Sequence, residues 1–424
     1  MFANPLGNAV GDTVIATQHI AYLRNIPGNK ITVWTANGDV WRTICGDDIQ
    51  TEPAIHRQRL AHEFDLVFLD WINIGPDFWP VLNESHASLM VWESRNSNIR
   101  IRLEDRVFQE VPLPPTTNHP ARIGEMYKIL GWQPAIEAGV GRYAPTDRTV
   151  YLNPYASTLE KSIPATICTE LLKSLKECLP ADVSILVGPR PKALSSTDER
   201  GFEAIDAFVR GSSVGIRALT HPLGMQAYVD YVRDAIFAIC PDTSTQHVAA
   251  ICGTPCAVIY SPGRFYNHYA FGWRNSEIFS LSMDVVDRSY APLVDIVISL
   301  AVSFVTGRSA WQIACPAELS TALTDLRGFL NHAGTSSCVA PSDPALLRDK
   351  LASVETLLPR GWVDYFMPEL RQVAREVTSN SFAYRDRAEF VASQLGAVSA
   401  LRIGFQLAYN TPTANSSAPL KKQS

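Results

Sequence analysis

Short apolar runs of strand length alternate with segments of helical periodicity in the first third of this chain. ITVWT (31–35), FDLVFLD (64–70) and SLMVWE (88–93) have the length and composition of β-strands. Between them lie segments 13–26 and 54–64, whose apolar residues recur at helical spacing. Because strands that alternate with helices form a parallel sheet with helices on both faces, the pattern predicts an α/β protein.

The alternation restarts at Val150, after a linker-like segment at 137–149. Two doubly wound halves joined by a linker place a ligand in the cleft between them, near the carboxyl ends of the strands. The second half contains predicted strands at 149–154, 182–188, 214–219, 236–240 and 256–261, and predicted helices at 163–179, 198–211, 224–235 and 245–252.

The length of 424 residues is too great for one ordinary core and predicts two domains with an appendage. Near the carboxyl terminus, segments 344–359, 362–379 and 387–410 look helical, and the final residues are polar. We therefore predict two Rossmann-like domains (1–145 and 146–330), a helical extension (331–410) and a disordered tail (411–424).

Charge and composition limit the classes of partner. A net charge of −5 and a pI near 6.0 argue against a nucleic-acid surface, because phosphate-backbone binding requires clustered Lys and Arg. The apolar segment 296–305 is about half as long as a membrane-spanning helix and predicts a buried helix. No secretory signal opens the sequence, and its cysteines, which form no CxxC pair, are typical of free, buried thiols in a reducing cytosol. A cytoplasmic location is expected.

Three polar clusters occur where predicted strands end. In the first, CPDTSTQHVAAICGTPCAVIY (240–260), Asp242, Thr243 and Ser244 follow a buried strand and open a helix. Unpaired backbone N–H groups and the positive end of the helix dipole make such a junction an anion site. The alternative is N-capping by Asp242 or Thr243, and His247 suits either a ligand contact or a hydrogen-bonded position in the core.

The second cluster is GNAVGDTV (7–14), in which Gly7 and Gly11 permit close approach of a ligand to the backbone. Asp12 precedes a predicted helix. It either caps a helix that begins at Thr13 or acts as a general base in the cleft.

The third cluster is NPYASTLEKSIP (153–164), a loop that enters a helix. Ser157, Thr158 and Lys161 supply two hydroxyls and an ammonium, which suit a pyrophosphate. The alternative is a solvated loop with an ordinary capping serine.

These clusters follow the order and spacing of one set of family motifs over residues 1–280. The matching stretches are Gly11-Asp12 with Thr17 and Leu23-Arg24 (like GD…T…LR), MYKILGW at 126–132 (like an inter-domain helix that ends in Leu-Gly), LNPYAS…K…P at 152–164 (like NPGAS…K.WP) and DTSTQHVAAICGTPCAVIYSP at 242–262 (like DTG..HLAAALG.P.V.LFGP). By these motifs the chain resembles the heptosyltransferase-like glycosyltransferases of family 9, which have the GT-B fold of two doubly wound Rossmann-like domains that face a cleft.

The resemblance implies inverting sugar transfer from a nucleotide-activated donor to a glycan, a lipid-linked glycan or a protein, without a metal or another cofactor. Domain 1–145 is then the acceptor side and domain 146–330 binds the nucleotide sugar. Asp12 matches the catalytic base, and Lys161 matches a group that stabilises the leaving phosphate. The matches to donor-binding positions are Gly11, Ser157, Thr158, Met225, Asp242, Thr243, Ser244 and His247.

The chain departs from the family at several positions. Ser244 stands where the motif has glycine, and its side chain could crowd a phosphate or add a hydroxyl donor. The segment after Gly188 lacks the acidic residue that the family pattern leads us to expect near the nucleotide ribose, so the donor is not assigned as ADP-heptose. Two other functions remain open: a nucleotide-sugar epimerase, and a non-catalytic GT-B module that binds a nucleotide sugar or a partner. Peripheral membrane association and a homo-oligomer formed through the carboxyl-terminal helices are compatible with the sequence.

Overall fold

A computed structural model gives the structure of the chain. It describes residues 2–4, 10–53, 59, 63–70, 88–92, 98–102, 109–112, 123, 127, 131–132, 145–146, 148–190, 199–212, 215–219, 224–261, 278–282, 291–306, 321–322, 325–326, 344–357 and 371. In that part of the chain no helix is long and apolar enough to cross a membrane.

The described residues of the first half form one mixed sheet. Its strands are β1 (Phe2–Asn4), β2 (Thr32–Thr35), β3 (Gln50–Glu52), β4 (Leu66–Asp70), β5 (Ser88–Trp92), β6 (Asn98–Arg102) and β7 (Gln109–Pro112). They lie in the order β3-β2-β1-β4-β5-β6-β7. β1 to β5 run parallel, whereas β6 is antiparallel to β5 and β7 is antiparallel to β6.

The strands predicted in this half are confirmed as β2, β4 and β5, which run parallel as expected, but the antiparallel edge formed by β6 and β7 was not predicted. The connections at 93–97 and 103–108 are shorter than the dozen or so residues that a parallel crossover needs. Short connections therefore give antiparallel neighbours. The NIRIR sequence of β6 alternates polar and apolar residues, a pattern typical of antiparallel strands.

The helix predicted at 13–26 is two shorter helices, α1 (Val10–Ala16) and α2 (Gln18–Leu23). They are separated at Thr17, whose hydroxyl donates to the Val14 carbonyl (2.6 Å) and competes with the backbone hydrogen bonds of a continuous helix. Because α1 begins at Val10, Asp12 lies in its first turn. The alternative in which Asp12 caps a helix from Thr13 is therefore wrong. A further helix, α3 (Gly38–Cys45), was not expected from the periodicity.

The second half follows the predicted rhythm closely. Among the described residues its strands are β8 (Thr149–Leu152), β9 (Ser184–Val187), β10 (Ile216–Ala218), β11 (Phe237–Pro241), β12 (Cys256–Tyr260) and β13 (Ile278–Ser282), and its helices are α4 (Ala165–Cys178), α5 (Glu199–Gly211), α6 (Met225–Asp234), α7 (Ser244–Cys252) and α8 (Ala291–Val305). The strands form a parallel sheet in the order β10-β9-β8-β11-β12-β13.

The strand order fixes where a ligand can bind. In the second sheet the chain moves outward from β8 to β10 on one side and from β11 to β13 on the other, so the order reverses between β8 and β11. In open α/β sheets, ligands bind outside the carboxyl ends of the strands at such a reversal. The segments that leave β8 and β11 are those that contain Lys161 and Asp242.

Helix α8 confirms the prediction of a buried helix at 296–305. Leu293, Ile296, Val297 and Leu300 are fully buried, and Phe304 stacks on Phe237 of β11 at a centroid distance of 5.3 Å. Burial of this apolar face stabilises that half of the molecule.

Near the carboxyl terminus, α9 (Pro344–Leu357) confirms the helix predicted at 344–359. Its Leu347, Leu351 and Val354 are buried. The helices predicted at 362–379 and 387–410 and the tail at 411–424 lie outside the described residues, apart from the helical residue 371.

The described cysteines are free thiols, as predicted, and all but one are buried. The exception is Cys178, the exposed last residue of α4. The buried thiols are Cys45, Cys168, Cys240, Cys252 and Cys256.

Candidate functional site

The loop that follows β8 is held in a closed shape by Ser162. The Ser162 hydroxyl accepts from the Ala156 N–H (2.9 Å) and donates to the Thr158 carbonyl (2.9 Å). Ser157 and Thr158 are exposed along this loop, and Lys161 ends the short 3-10 helix Leu159–Lys161. The loop thus presents two hydroxyls and a partly exposed ammonium, while a buried serine that the sequence analysis did not single out keeps its shape.

The turn between β11 and α7 has the geometry of a capped helix start. Thr243 is the N-cap residue, and its hydroxyl accepts from the Thr245 N–H (3.3 Å). Of the two predicted caps, Thr243 is therefore the one observed. Ser244 is the first helical residue, so its N–H is among those that have no partner within the helix.

Asp242 is buried and is positioned by a chain of polar side chains. Its Oδ1 accepts from Gln246 Nε2 (2.8 Å), and Gln246 Oε1 accepts from the Tyr260 hydroxyl on β12. On its other side, Asp242 Oδ2 lies 3.6 Å from Lys161 Nζ. The structure therefore brings together a carboxylate and an ammonium from two of the predicted clusters.

A second polar chain fixes the first turn of α7. The Tyr228 hydroxyl, on α6, lies 3.0 Å from Ser244 Oγ and 2.7 Å from Thr245 Oγ1. Thr245 Oγ1 also accepts from Asn153 Nδ2 at the end of β8 (2.9 Å). Burial raises the pKa of Tyr228, so its hydroxyl stays protonated at physiological pH.

Gly188 lies so close to Tyr151 and Asn153 that a side chain at this position would crowd both residues. A Cβ at Gly188 would lie 2.8 Å from the Tyr151 hydroxyl, closer than real Cβ atoms approach, and 3.2 Å from Asn153 Oδ1, which is a tight contact. A side chain at residue 188 would therefore push the Tyr151 hydroxyl aside and crowd Asn153.

The start of α1 contacts the start of α7. A Cβ built on Gly11 would lie 3.6 Å from the Ser244 backbone nitrogen. Asp12, the next residue, is exposed in the first turn of α1. Gly11 is helical rather than part of a loop, which corrects the expectation for that residue, and Gly7 lies outside the described residues. The structure thus places Gly11 against Ser244 and Asp12 beside that contact.

Met225 and His247 occupy two different environments. Met225 is the first residue of α6, one turn before Tyr228, and packs partly buried against the core. His247 lies on α7 and is only 2% exposed, so its side chain is enclosed by the protein.

The described residues contain no group of three or more His, Cys, Asp or Glu side chains that could hold a metal ion. A cavity of about 270 Å³ lies elsewhere, lined by Thr149, Arg217, Tyr231 and Ala235 among others. Thr149 opens β8 and Ala235 lies two residues before β11, so the cavity reaches the amino ends of these two strands. It is separate from the cluster around Lys161 and Asp242.

Comparison with known proteins bears on the fold. No family model and no curated protein matches the chain. Among solved structures, it is similar to E. coli heptosyltransferase WaaC with ADP (TM-score 0.52, 13% identity, 71% of this chain and 98% of that chain). It is also similar to E. coli ADP-heptose lps heptosyltransferase II (TM-score 0.47, 13% identity, 71% and 98%) and to the family 9 glycosyl transferase from Veillonella parvula (TM-score 0.44, 13% identity, 71% and 92%).

The similarity to WaaC covers nearly the whole length of that protein and shows a common fold. The resemblance inferred from the sequence motifs is therefore confirmed at the level of fold: the chain is an α/β protein with the architecture of the heptosyltransferases.

Proposed function

We propose that the chain is an inverting glycosyltransferase that moves a sugar from a nucleotide-activated donor to a glycan, lipid-linked or protein acceptor. The observation that supports this most strongly is the pairing of Lys161 with buried Asp242 at the start of α7, against which Gly11, the neighbour of Asp12, also packs. The donor would lie between the two Rossmann-like halves, at the carboxyl ends of β8 and β11.

Lys161 and the first turn of α7 would bind the donor diphosphate. Lys161 Nζ has three N–H donors, and its side chain makes no hydrogen bond to another described residue. The amino end of α7 adds backbone N–H groups and a positive dipole. Ser157 and Thr158 would contribute hydroxyl donors from the exposed loop, and Met225, the first residue of α6, would lie at the edge of the same site.

Asp12 would act as the general base. Its carboxylate is exposed at the start of α1, where an acceptor hydroxyl can reach it. As the acceptor oxygen attacks the sugar carbon, its proton passes to Asp12 and the bond from that carbon to the phosphate oxygen breaks. Lys161 and the α7 amino end stabilise the negative charge that forms on the departing nucleoside diphosphate without a metal.

The comparison supports a nucleotide ligand, since WaaC, the solved structure with a TM-score of 0.52, was determined with ADP. The sugar and the base are not assigned for this chain. Its sequence departs from the family at Ser244, in the first turn of α7, and in the segment after Gly188.

Thermal stability in the presence of ADP-, GDP-, UDP- and dTDP-sugars tests the proposal. A ligand that binds only the folded state raises the melting temperature, so at least one of these donors should stabilise the wild-type protein. Lys161→Ala should weaken that donor's affinity by about 10- to 100-fold, because a hydrogen bond to a charged group contributes about 1.5–3 kcal/mol.

Lys173→Ala is the matched control. Lys173 is an exposed lysine on α4 that pairs with Glu170 and lies outside the candidate site. Its variant should bind the donor like the wild type. Equal affinity of the Lys161 and Lys173 variants would contradict the phosphate role, and no response to any donor would contradict the proposed function.

A further inference from the structure

The Ser244 hydroxyl lies at one end of a hydrogen-bond chain that starts at Asn153. Asn153 Oδ1 accepts from the Tyr155 N–H (3.3 Å), which leaves Nδ2 as the donor to Thr245 Oγ1 (2.9 Å). From Thr245 the chain continues to the Tyr228 hydroxyl (2.7 Å) and then to Ser244 Oγ (3.0 Å). The hydrogen-bond chain therefore begins at the Asn153 Nδ2 group, which can donate but cannot accept.

This starting donor favours one direction for the protons along the chain. In this direction Thr245 Oγ1 accepts from Asn153 Nδ2 and donates to the Tyr228 hydroxyl, and Tyr228 donates to Ser244 Oγ; the distances fit either order of the last two bonds. Each hydroxyl that accepts a hydrogen bond becomes a stronger donor to the next. The Ser244 proton is left for an acceptor outside the chain. An anion at the start of α7 selects this order, because the reverse order turns a Ser244 lone pair towards it.

A second observation shows that the ammonium beside this helix start has N–H groups available to an anion. Asp242 Oδ2 is buried without a hydrogen bond, and its neighbouring cation, Lys161 Nζ, lies at 3.6 Å. The Asp242 side chain is only 5% exposed. A buried carboxylate that holds an ammonium beyond hydrogen-bond distance leaves the N–H groups of that ammonium for a ligand.

We propose that Ser244 Oγ–H donates a hydrogen bond to a phosphate oxygen of the nucleotide-sugar donor, and that Tyr228 is the positioning residue that orients it. This inference rests on the proposed function and deepens it. It assigns a binding role to the side chain at the position where the heptosyltransferase motif has glycine. Tyr228 acts through Ser244 and does not touch the donor.

Calorimetric titration of ADP, GDP, UDP and dTDP into the full-length protein tests the roles of Ser244 and Tyr228. For the nucleoside diphosphate that wild type binds most tightly, Ser244→Ala should weaken binding about tenfold, since it removes a hydrogen bond to a charged group. Ser244→Thr, which keeps the hydroxyl, should stay within about threefold of wild type. Tyr228→Phe should weaken binding about threefold, and Tyr228→Phe combined with Ser244→Ala should be no weaker than Ser244→Ala alone.

The outcomes separate this inference from the function on which it rests. If wild type binds a nucleoside diphosphate and Ser244→Ala binds it equally well, or if the Tyr228 and Ser244 effects add in full, the hydrogen-bond chain is wrong and the function stands. If wild type binds none of the four, the proposed function itself fails. Tyr231→Phe, on the exposed side of α6, is the control for loss of a hydroxyl from that helix. Should Tyr228→Phe not fold, the comparison of Ser244→Ala with Ser244→Thr still decides the role of Ser244.

Discussion

His19 shows how one buried residue couples stability to pH. Its Nδ1 lies 2.9 Å from the Tyr127 hydroxyl, and its ring packs against Phe68 at a centroid distance of 4.5 Å. Burial lowers the pKa of His19 from 6.5 to about 3. The pKa of His19 is lower in the folded than in the unfolded state. The contribution of the neutral, buried ring to stability is therefore complete above pH 6.5 and is lost as the pH falls towards 3.

Between pH 7 and pH 5, protonation of His19 in the unfolded chain should therefore reduce the free energy of unfolding by about 2 kcal/mol. Urea unfolding of wild type and His19→Gln at both pH values measures this, because glutamine keeps a hydrogen-bonding side chain but does not titrate. The variant should lose about 2 kcal/mol less than wild type over this range. The same pH dependence in both proteins would contradict the assignment.

At the scale of the element, α7 is defined by its two ends. Thr243 caps its amino end, and Gly253 ends it in the left-handed conformation with φ 79°. The Thr254 N–H then closes the turn on the Ala249 carbonyl (2.9 Å). The helix predicted at 245–252 is within one residue of these bounds, because a hydroxyl residue before a helix and a glycine after it act through local geometry alone.

Gly253→Ala should destabilise the protein by about 1–2 kcal/mol, because a Cβ is unfavourable in the left-handed conformation. Gly211→Ala is the control: Gly211 ends α5 with open space around the Cβ position, so its variant should be as stable as wild type or more stable. Denaturant unfolding of both variants measures the difference. Equal stability of Gly253→Ala and wild type would show that this residue does not determine how α7 ends.

At the scale of the whole molecule, the sequence predicted elements better than their contacts. The second half alternates so regularly that β8 to β12 and α4 to α7 lie where the periodicity indicated. The start of α1, the division at Thr17 and the antiparallel edge at β6 were missed, because they depend on local hydrogen bonds and on connection length rather than on periodicity.

At the candidate site, too, the sequence identified residues in motifs but missed the contacts that position them. Lys161, Asp242 and Ser244 could be identified because they stand in motifs at strand ends. Tyr228 and Gln246, whose hydrogen bonds orient Ser244 and Asp242, could not. Tyr228 is one of many residues on an amphipathic helix, and its partner is set by how α6 packs on α7. No local pattern records such a contact.

Sugar transfer by Asp12→Asn tests the central claim most directly. Wild-type protein is incubated with the nucleotide sugar that raises its melting temperature, which carries a label in the sugar. An extract of glycans and membranes from the cells in which the protein naturally occurs supplies the acceptor. Asp39→Asn is the control, since Asp39 is likewise exposed in the first turn of a helix, α3. We predict that Asp12→Asn lowers transfer by about 10²- to 10⁴-fold while donor affinity stays within about threefold, and that Asp39→Asn transfers like wild type. Transfer at the wild-type rate by Asp12→Asn would contradict the account.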